Sequence, residues 1–179
     1  MSNLPKPDKD EADFHLSHEI VVLDAFICDA LNIDHRERIT HEFVDGVLRA
    51  LDMSPLGPVE IYLAADKRAP GWSFIQPITT SHISAHYFER PGRLPHIRLD
   101  AYSCEPFDWR EVIRVCHRQF SLEKWRANLI RRRIDMDANR EVYSMAGSGA
   151  RVDMEKRTTF TKWQPPKEME DAEAIRRVG

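Results

Sequence analysis

Residues 79–86 read TTSHISAH, and a lone cysteine, Cys104, follows eighteen positions after His86 in the stretch DAYSCEP. A serine beside histidines invites a hydrolase reading. A serine nucleophile, however, sits on a sharp turn of the G-x-S-x-G kind, with a base oriented by a carboxylate. Ser81 has no flanking glycine, and TTSHIS is patterned as an extended strand. The same histidines invite a metal reading. On a strand His82 and His86 share a face, and Asp100, His96 or Cys104 would have to complete the ligand set. No spacing nearby matches a structural metal site, so no metal is expected. His82 then reads as an ordinary, partly exposed strand residue.

The elements that must hold these residues belong to a globular chain. Its 179 residues are 42% apolar and 31% charged, enough for one domain of ordinary size. A net charge of −3 argues against nucleic-acid binding as the main task. Cys28, Cys104 and Cys116 are odd in number and irregular in spacing, which suggests neither a disulfide framework nor a metal knuckle. The lead MSNLPKPDKDEADF is polar and unlike a signal peptide, and the apolar run IVVLDAFI is too short to span a bilayer. A cytoplasmic protein without membrane attachment is the expectation.

Residues 1–16 read as a flexible lead. EIVVLDAFIC, residues 19–28, is dense in β-branched and aromatic residues and reads as a buried strand. Asp34 can cap a helix whose apolar stripe is Ile39, Phe43, Val44, Val47, Leu48 and Leu51. After Gly57-Pro58, VEIYLAA is a strand. WSFIQPITTSHISAHYFE is one long or two short extended pieces, with a bulge or edge at Pro77. HIRLDAYSC alternates like a half-buried strand. Asp108 and Glu111 stand in capping-box spacing before a helix that buries Trp109, Val112, Ile113, Cys116 and Phe120. KWRANLIRRRI is a last strand, and residues 145–179 read as an extended arm or loose tail.

The order β-α-β-β-β-β-α-β, with short turns between neighbours, predicts an α+β two-layer sandwich: a mainly antiparallel sheet with two helices on one face. The domain spans residues 17–134, and a partly irregular C-terminal extension covers residues 135–179.

Within that frame, Gly71-Trp72-Ser73, Thr80-Ser81-His82-Ile83-Ser84-Ala85-His86 and Asp100-Ala101-Tyr102-Ser103-Cys104 resemble the small bacterial and archaeal S-adenosylmethionine decarboxylases. The corresponding family stretches read roughly GVSG, ESHL(S/T)IHTWPE and DVFTCG. Both the interval of eight between the serines and that of five from Ser81 to His86 are kept. The resemblance covers about residues 17–134.

Decarboxylating an amino acid needs an electron sink, and a ketone that forms a Schiff base with the substrate amine is one. The family makes that ketone from its own backbone. The resemblance implies that Ser81 attacks the Thr80 carbonyl, and that elimination then leaves a pyruvoyl group derived from Ser81 at the head of a second chain. It implies His86 as the base for the elimination and Ser73 as a hydrogen-bond donor in processing. It also implies Cys104 as the proton donor to the substrate carbon, a task suited to a small acidic thiol. Since residues 81 and 86 of an unbroken strand face opposite sides, this assignment calls for a bulge or bend between them. The family's small members pair, so a homodimer is implied too.

The sequence departs from the family in three places. Thr80 replaces the usual glutamate before the scissile serine, and YFER replaces TWPE. The glutamate that contacts the substrate ribose falls at Arg90, with Glu89 one place early, and Trp72 is the aromatic nearest the adenine position, where Lys67 also stands. Glu89 and Trp72 are therefore the candidate substrate contacts. The expected activity is decarboxylation of S-adenosylmethionine for polyamine (spermidine) synthesis. The alternatives are the same chemistry on ornithine or arginine, or an unprocessed relative serving as a binding or regulatory partner.

Overall fold

The computed structural model describes residues 17–64, 66–89, 94–133 and 140–160. Eight strands form one wholly antiparallel sheet: β1 Ser17–Ile27, β2 Glu60–Ala64, β3 Gly71–Ile78, β4 Ser81–Phe88, β5 His96–Ser103, β6 Leu122–Arg133, β7 Arg140–Ser148 and β8 Arg151–Phe160. Their spatial order is β2-β3-β4-β5-β1-β6-β7-β8. The helices α1, Arg36–Leu51, and α2, Trp109–Phe120, share one face. This is the α+β two-layer sandwich expected from the element order.

Period-two alternation decides which side chains meet the helices. Val21, Leu23, Ala25 and Ile27 of β1, Ile83, Ala85 and Tyr87 of β4, Ile97, Leu99 and Ala101 of β5, and Trp125, Ala127 and Leu129 of β6 are all buried. Against them α1 buries Ile39, Phe43, Val44, Val47 and Leu48, and α2 buries Trp109, Val112, Ile113, Cys116 and Phe120. Phe43 ties the layers together, its ring centroid 5.8 Å from that of Phe74 and 4.8 Å from that of Phe120. Asp108 caps α2 by accepting from the Arg110 amide at 2.9 Å, while Glu111 pairs with Arg114 instead of closing a capping box. Asp34 does not cap α1. It lies inside a 3-10 turn, Ile33–His35, capped by the Asn32 side chain.

Up to Phe160 the C-terminal region follows the extended alternative and not the loose tail: it is a β7–β8 hairpin that extends the sheet. Consequently β6 is an interior strand, and its basic run is divided between the two faces. Arg131 reaches under the helices to the buried Glu19 at 2.7 Å and touches the Tyr143 hydroxyl of β7 at 3.1 Å. Arg157 of β8 pairs with Glu141, and Arg110 of α2 reaches Glu155 of β8 at 2.6 Å. Gly147 is needed where the hairpin crosses Trp125, since a Cβ there would stand 2.5 Å from the indole. The 1–16 lead and residues 161–179 lie outside the described residues.

The second face carries no helix among the described residues. It presents His18, Ile20, Val22, Asp24 and Phe26 from β1, His82, Ser84, His86 and Phe88 from β4, and His96, Arg98, Asp100 and Tyr102 from β5. All of these are half-buried or exposed. No described helix is long and apolar enough to cross a membrane.

Because Phe43 is fully buried between both helices and the sheet, Phe43→Ala should destabilise the domain by about 3–5 kcal/mol. Urea unfolding followed by circular dichroism would read this as a lowered midpoint.

Candidate active site

Strands β3 and β4 are joined by a two-residue turn, Thr79-Thr80, closed by the pairing of Ile78 with Ser81. Ser81 begins β4 with φ at 152°, a region that L-residues other than glycine rarely enter. Two contacts hold the turn there. The Thr79 amide donates to the Ser54 carbonyl at 3.1 Å, and the Cys104 amide donates to the Thr80 carbonyl at 2.8 Å. The second contact arises because Ser81 pairs with Ser103, the last residue of β5. The Ser103 hydroxyl accepts from the Glu105 amide at 3.0 Å and turns the chain just beyond the strand. A carboxylate oxygen of Glu19 accepts from the Phe107 amide at 3.3 Å and secures the far end of that bend.

The Thr80–Ser81 peptide therefore has a strained residue on one side and a carbonyl already engaged by a backbone donor on the other. Cys104, half-buried, stands beside it. The Ser81 hydroxyl is 3.1 Å from Nδ1 of His82. Thr80 Oγ1 is buried with no hydrogen-bond partner among the described residues.

A second polar pair lies further along the same strands. Ser73 faces His86 across β3 and β4, and its hydroxyl is 2.5 Å from His86 Nδ1. The imidazole is packed against Phe88 at 3.8 Å between ring centroids, and Phe88 stacks on His96. Burial lowers the His86 pKa below its ordinary value and favours the neutral ring. Gly71 permits the close approach of β3 to β4 here, because a Cβ would lie 1.8 Å from the Tyr87 carbonyl oxygen.

The expected site residues thus fall into two groups. The Cys104 amide reaches the Thr80 carbonyl next to Ser81, Ser73 and His86 meet beside Phe88, and β4 runs between the two groups. The bulge expected between Ser81 and His86 is absent: the pairing of β4 runs without a register shift from Ser81 to Phe88, against both neighbours. Pro77 meets the edge alternative and not the bulge: it lies past Ile75, the last residue of β3 paired with β2, and pairs with His82 without a register shift. The five residues from Ser81 to His86 correspond to roughly 16 Å of strand.

Trp72 cannot serve as an open stacking platform. It is 1% exposed, donates its indole N–H to Thr40 at 3.0 Å and packs on Tyr87 in the core. Glu89 follows β4, half-buried, with its amide bound to the Pro70 carbonyl at 2.8 Å. Arg90 lies outside the described residues. Lys67 sits exposed in the turn before β3. Among the described residues no three His, Cys, Asp or Glu side chains converge as a metal site.

Sequence reading missed the surroundings of His82. Tyr102 presents its ring edge to His82, with centroids 5.7 Å apart, and its hydroxyl is 2.5 Å from Nδ1 of His18. The signal was available in strand parity, which puts positions 18, 82 and 102 on one face once β4, β5 and β1 are neighbours.

The unfolded chain lacks the burial that disfavours the His86 imidazolium, so it binds that proton first as pH falls from about 6.5. The group's contribution to stability is full above that pH and is lost as pH falls through the lower, folded value. In a proton NMR titration His86 should show a midpoint below the ordinary imidazole value. Phe88→Ala should raise it, and an unchanged midpoint would refute burial as the cause.

The family model for S-adenosylmethionine decarboxylase matches residues 19–133, well over half of the chain, and ends where β6 ends. No curated protein is similar enough to count as a relative. The chain belongs to the S-adenosylmethionine decarboxylase family, which supports a function of that decarboxylase type.

Proposed function

We propose that the protein is a self-processing, pyruvoyl-dependent decarboxylase of S-adenosylmethionine that supplies polyamine synthesis, ultimately of spermidine. The observation that carries this reading is the Thr80–Ser81 junction, with Ser81 at a positive φ and the Thr80 carbonyl held by the Cys104 amide. Attack of the Ser81 oxygen on that carbonyl turns the peptide bond into an ester and releases the strained backbone. The Cys104 amide is already placed to receive the developing negative charge on oxygen. Removal of the Ser81 α-proton then expels the ester as the carboxylate of Thr80, and hydrolysis of the dehydroalanine releases the Ser81 nitrogen as ammonia and leaves the pyruvoyl group.

Once formed, that group supplies a ketone that takes up the substrate amine and the electrons left as carbon dioxide departs. The residues around it fit such use. Cys104, half-buried at the turn, is the proton donor to the substrate carbon. The Ser73–His86 pair, with its neutral ring, suits the α-proton abstraction. Within one chain, however, it lies roughly 16 Å along β4 from Ser81. We therefore assign that step to the pair of a second copy packed on the helix-free face, which makes the working unit a homodimer. Its free thiols suit the cytoplasm.

One observation favours a second reading of the substrate. With Trp72 in the core, the aromatic nearest the adenine position is taken up by packing, which fits the same chemistry on a smaller amino acid such as ornithine or arginine. Thr80 in place of glutamate keeps an unprocessed regulatory relative as the remaining alternative.

Intact mass under denaturing conditions should show two chains meeting between Thr80 and Ser81, the second blocked by a carbonyl that borohydride reduces. Ser81→Ala should stay whole and inactive, and a whole wild-type chain after long incubation would overturn the reading. Cys104→Ala retains its amide, so it should still cleave while releasing labelled carbon dioxide about 10²–10⁴-fold more slowly. Comparing S-adenosylmethionine, ornithine and arginine in that assay identifies the substrate.

Co-expressed Ser81→Ala and His86→Ala chains should restore cleavage of the His86→Ala copy. Failure to do so would argue against a site shared between subunits.

A further inference from the structure

We propose that His82 is the base that starts self-cleavage, taking the Ser81 hydroxyl proton and passing it to the amide nitrogen that departs from Thr80. The inference rests on the self-cleavage reading above and assigns a residue to its first step, for which Ser73 and His86 are too far away within the chain. The Ser81 oxygen lies 3.1 Å from His82 Nδ1, within hydrogen-bond reach. With Nδ1 unprotonated, it accepts the hydroxyl proton as Oγ bonds to the Thr80 carbonyl carbon. The carbonyl oxygen becomes an alkoxide facing the Cys104 amide, which already donates to it at 2.8 Å. As the carbon–nitrogen bond breaks, Nδ1–H returns the proton to the Ser81 nitrogen. The products are an ester at Oγ, a free amine and a neutral His82, so the step balances without any co-reactant.

The surroundings of His82 hold the ring for this task. Tyr102 of β5, its cross-strand partner, presents a ring edge to the imidazole, and the hydroxyl of Tyr102 is tied to His18 of β1 at 2.5 Å. The Arg132 guanidinium of β6 lies over the Tyr102 ring, 5.9 Å from its centroid. Asp100 is the diagonal neighbour of His82, because Ser84 pairs with Asp100 and His82 with Tyr102. Burial raises the Asp100 pKa, and the charge of His82 works against that rise. A protonated His82 therefore has a carboxyl group nearby to stabilise it during the transfer. The ring is thus held beside the strained first residue of β4.

The test separates formation of the ester from its elimination. His86→Ala should stall processing after the acyl shift, and hydroxylamine should then cleave the accumulated ester between residues 80 and 81. In that background His82→Ala and His82→Asn should each slow the appearance of hydroxylamine-labile chain by about 10²–10⁴-fold, followed by intact mass from the moment of refolding. The asparagine keeps a hydrogen-bonding group at the position but cannot carry the proton, and it carries the test if the alanine variant fails to fold. Ester formation at an undiminished rate in folded His82→Asn would overturn the assignment and leave self-cleavage standing. If the wild type never splits and His86→Ala gives no ester, the self-cleavage reading and this inference fall together.

Discussion

The unbroken pairing of β4 with β3 on one side and β5 on the other is the constraint from which both the core and the site follow. With no bulge to change parity, Ile83, Ala85 and Tyr87 are committed to the helices, and His82, Ser84, His86 and Phe88 to the opposite face. A slip of one residue would exchange the two sets and put imidazoles into an apolar layer. The core thus holds the site in register. Tyr87 shows the coupling, since its ring packs on Trp72 while its hydroxyl accepts from the Leu31 amide at 3.0 Å.

At its first residue the same strand departs from regular geometry. Ser81 keeps its ladder partners, Ile78 and Ser103, yet has a backbone torsion foreign to a strand. Such a conformation persists only where its surroundings over-determine it. Here they include a tight turn, a carbonyl anchored to the Cys104 amide and a neighbouring bend held by Ser103 and Glu19. The buried Glu19 is in turn balanced by Arg131, which Tyr143 and Glu141 of the hairpin support. The hairpin lies beyond the span matched by the family, yet it is connected through charge and hydrogen bonds to the bend that carries Cys104.

Much of this was legible in the sequence, for identifiable reasons. The stripe from Ile39 to Leu48 and the apolar side of α2 follow a helical period that packing reinforced. The strands around TTSHISAH follow a period of two. What could not be read was pairing at a distance. Nothing local shows that β6 acquires a neighbour on its outer side, because β8 is exposed along almost its whole length. The separation of Ser73 and His86 from Ser81 was legible only as a conflict of strand parity, which β4 resolves by staying unbroken. Intervals of eight and five look close in a line of letters, but on a strand they are a distance. His82 was visible as a residue and not as a partner of Ser81, since its relation to that hydroxyl depends on an unusual torsion.

The strand order has a consequence for a chain broken after Thr80. The piece before the break contributes β1, β2 and β3, and the piece after it contributes β4 to β8. Because β1 lies between β5 and β6, and β3 pairs with β4 along eight residue pairs, the pieces are interleaved across the sheet. Neither half retains a complete hydrophobic layer, as α1 goes with one and α2 with the other. A nick at this turn would leave the architecture standing, but it would make refolding a bimolecular reunion of two incomplete halves. Persistence of the cut form would then depend on how slowly the sheet opens.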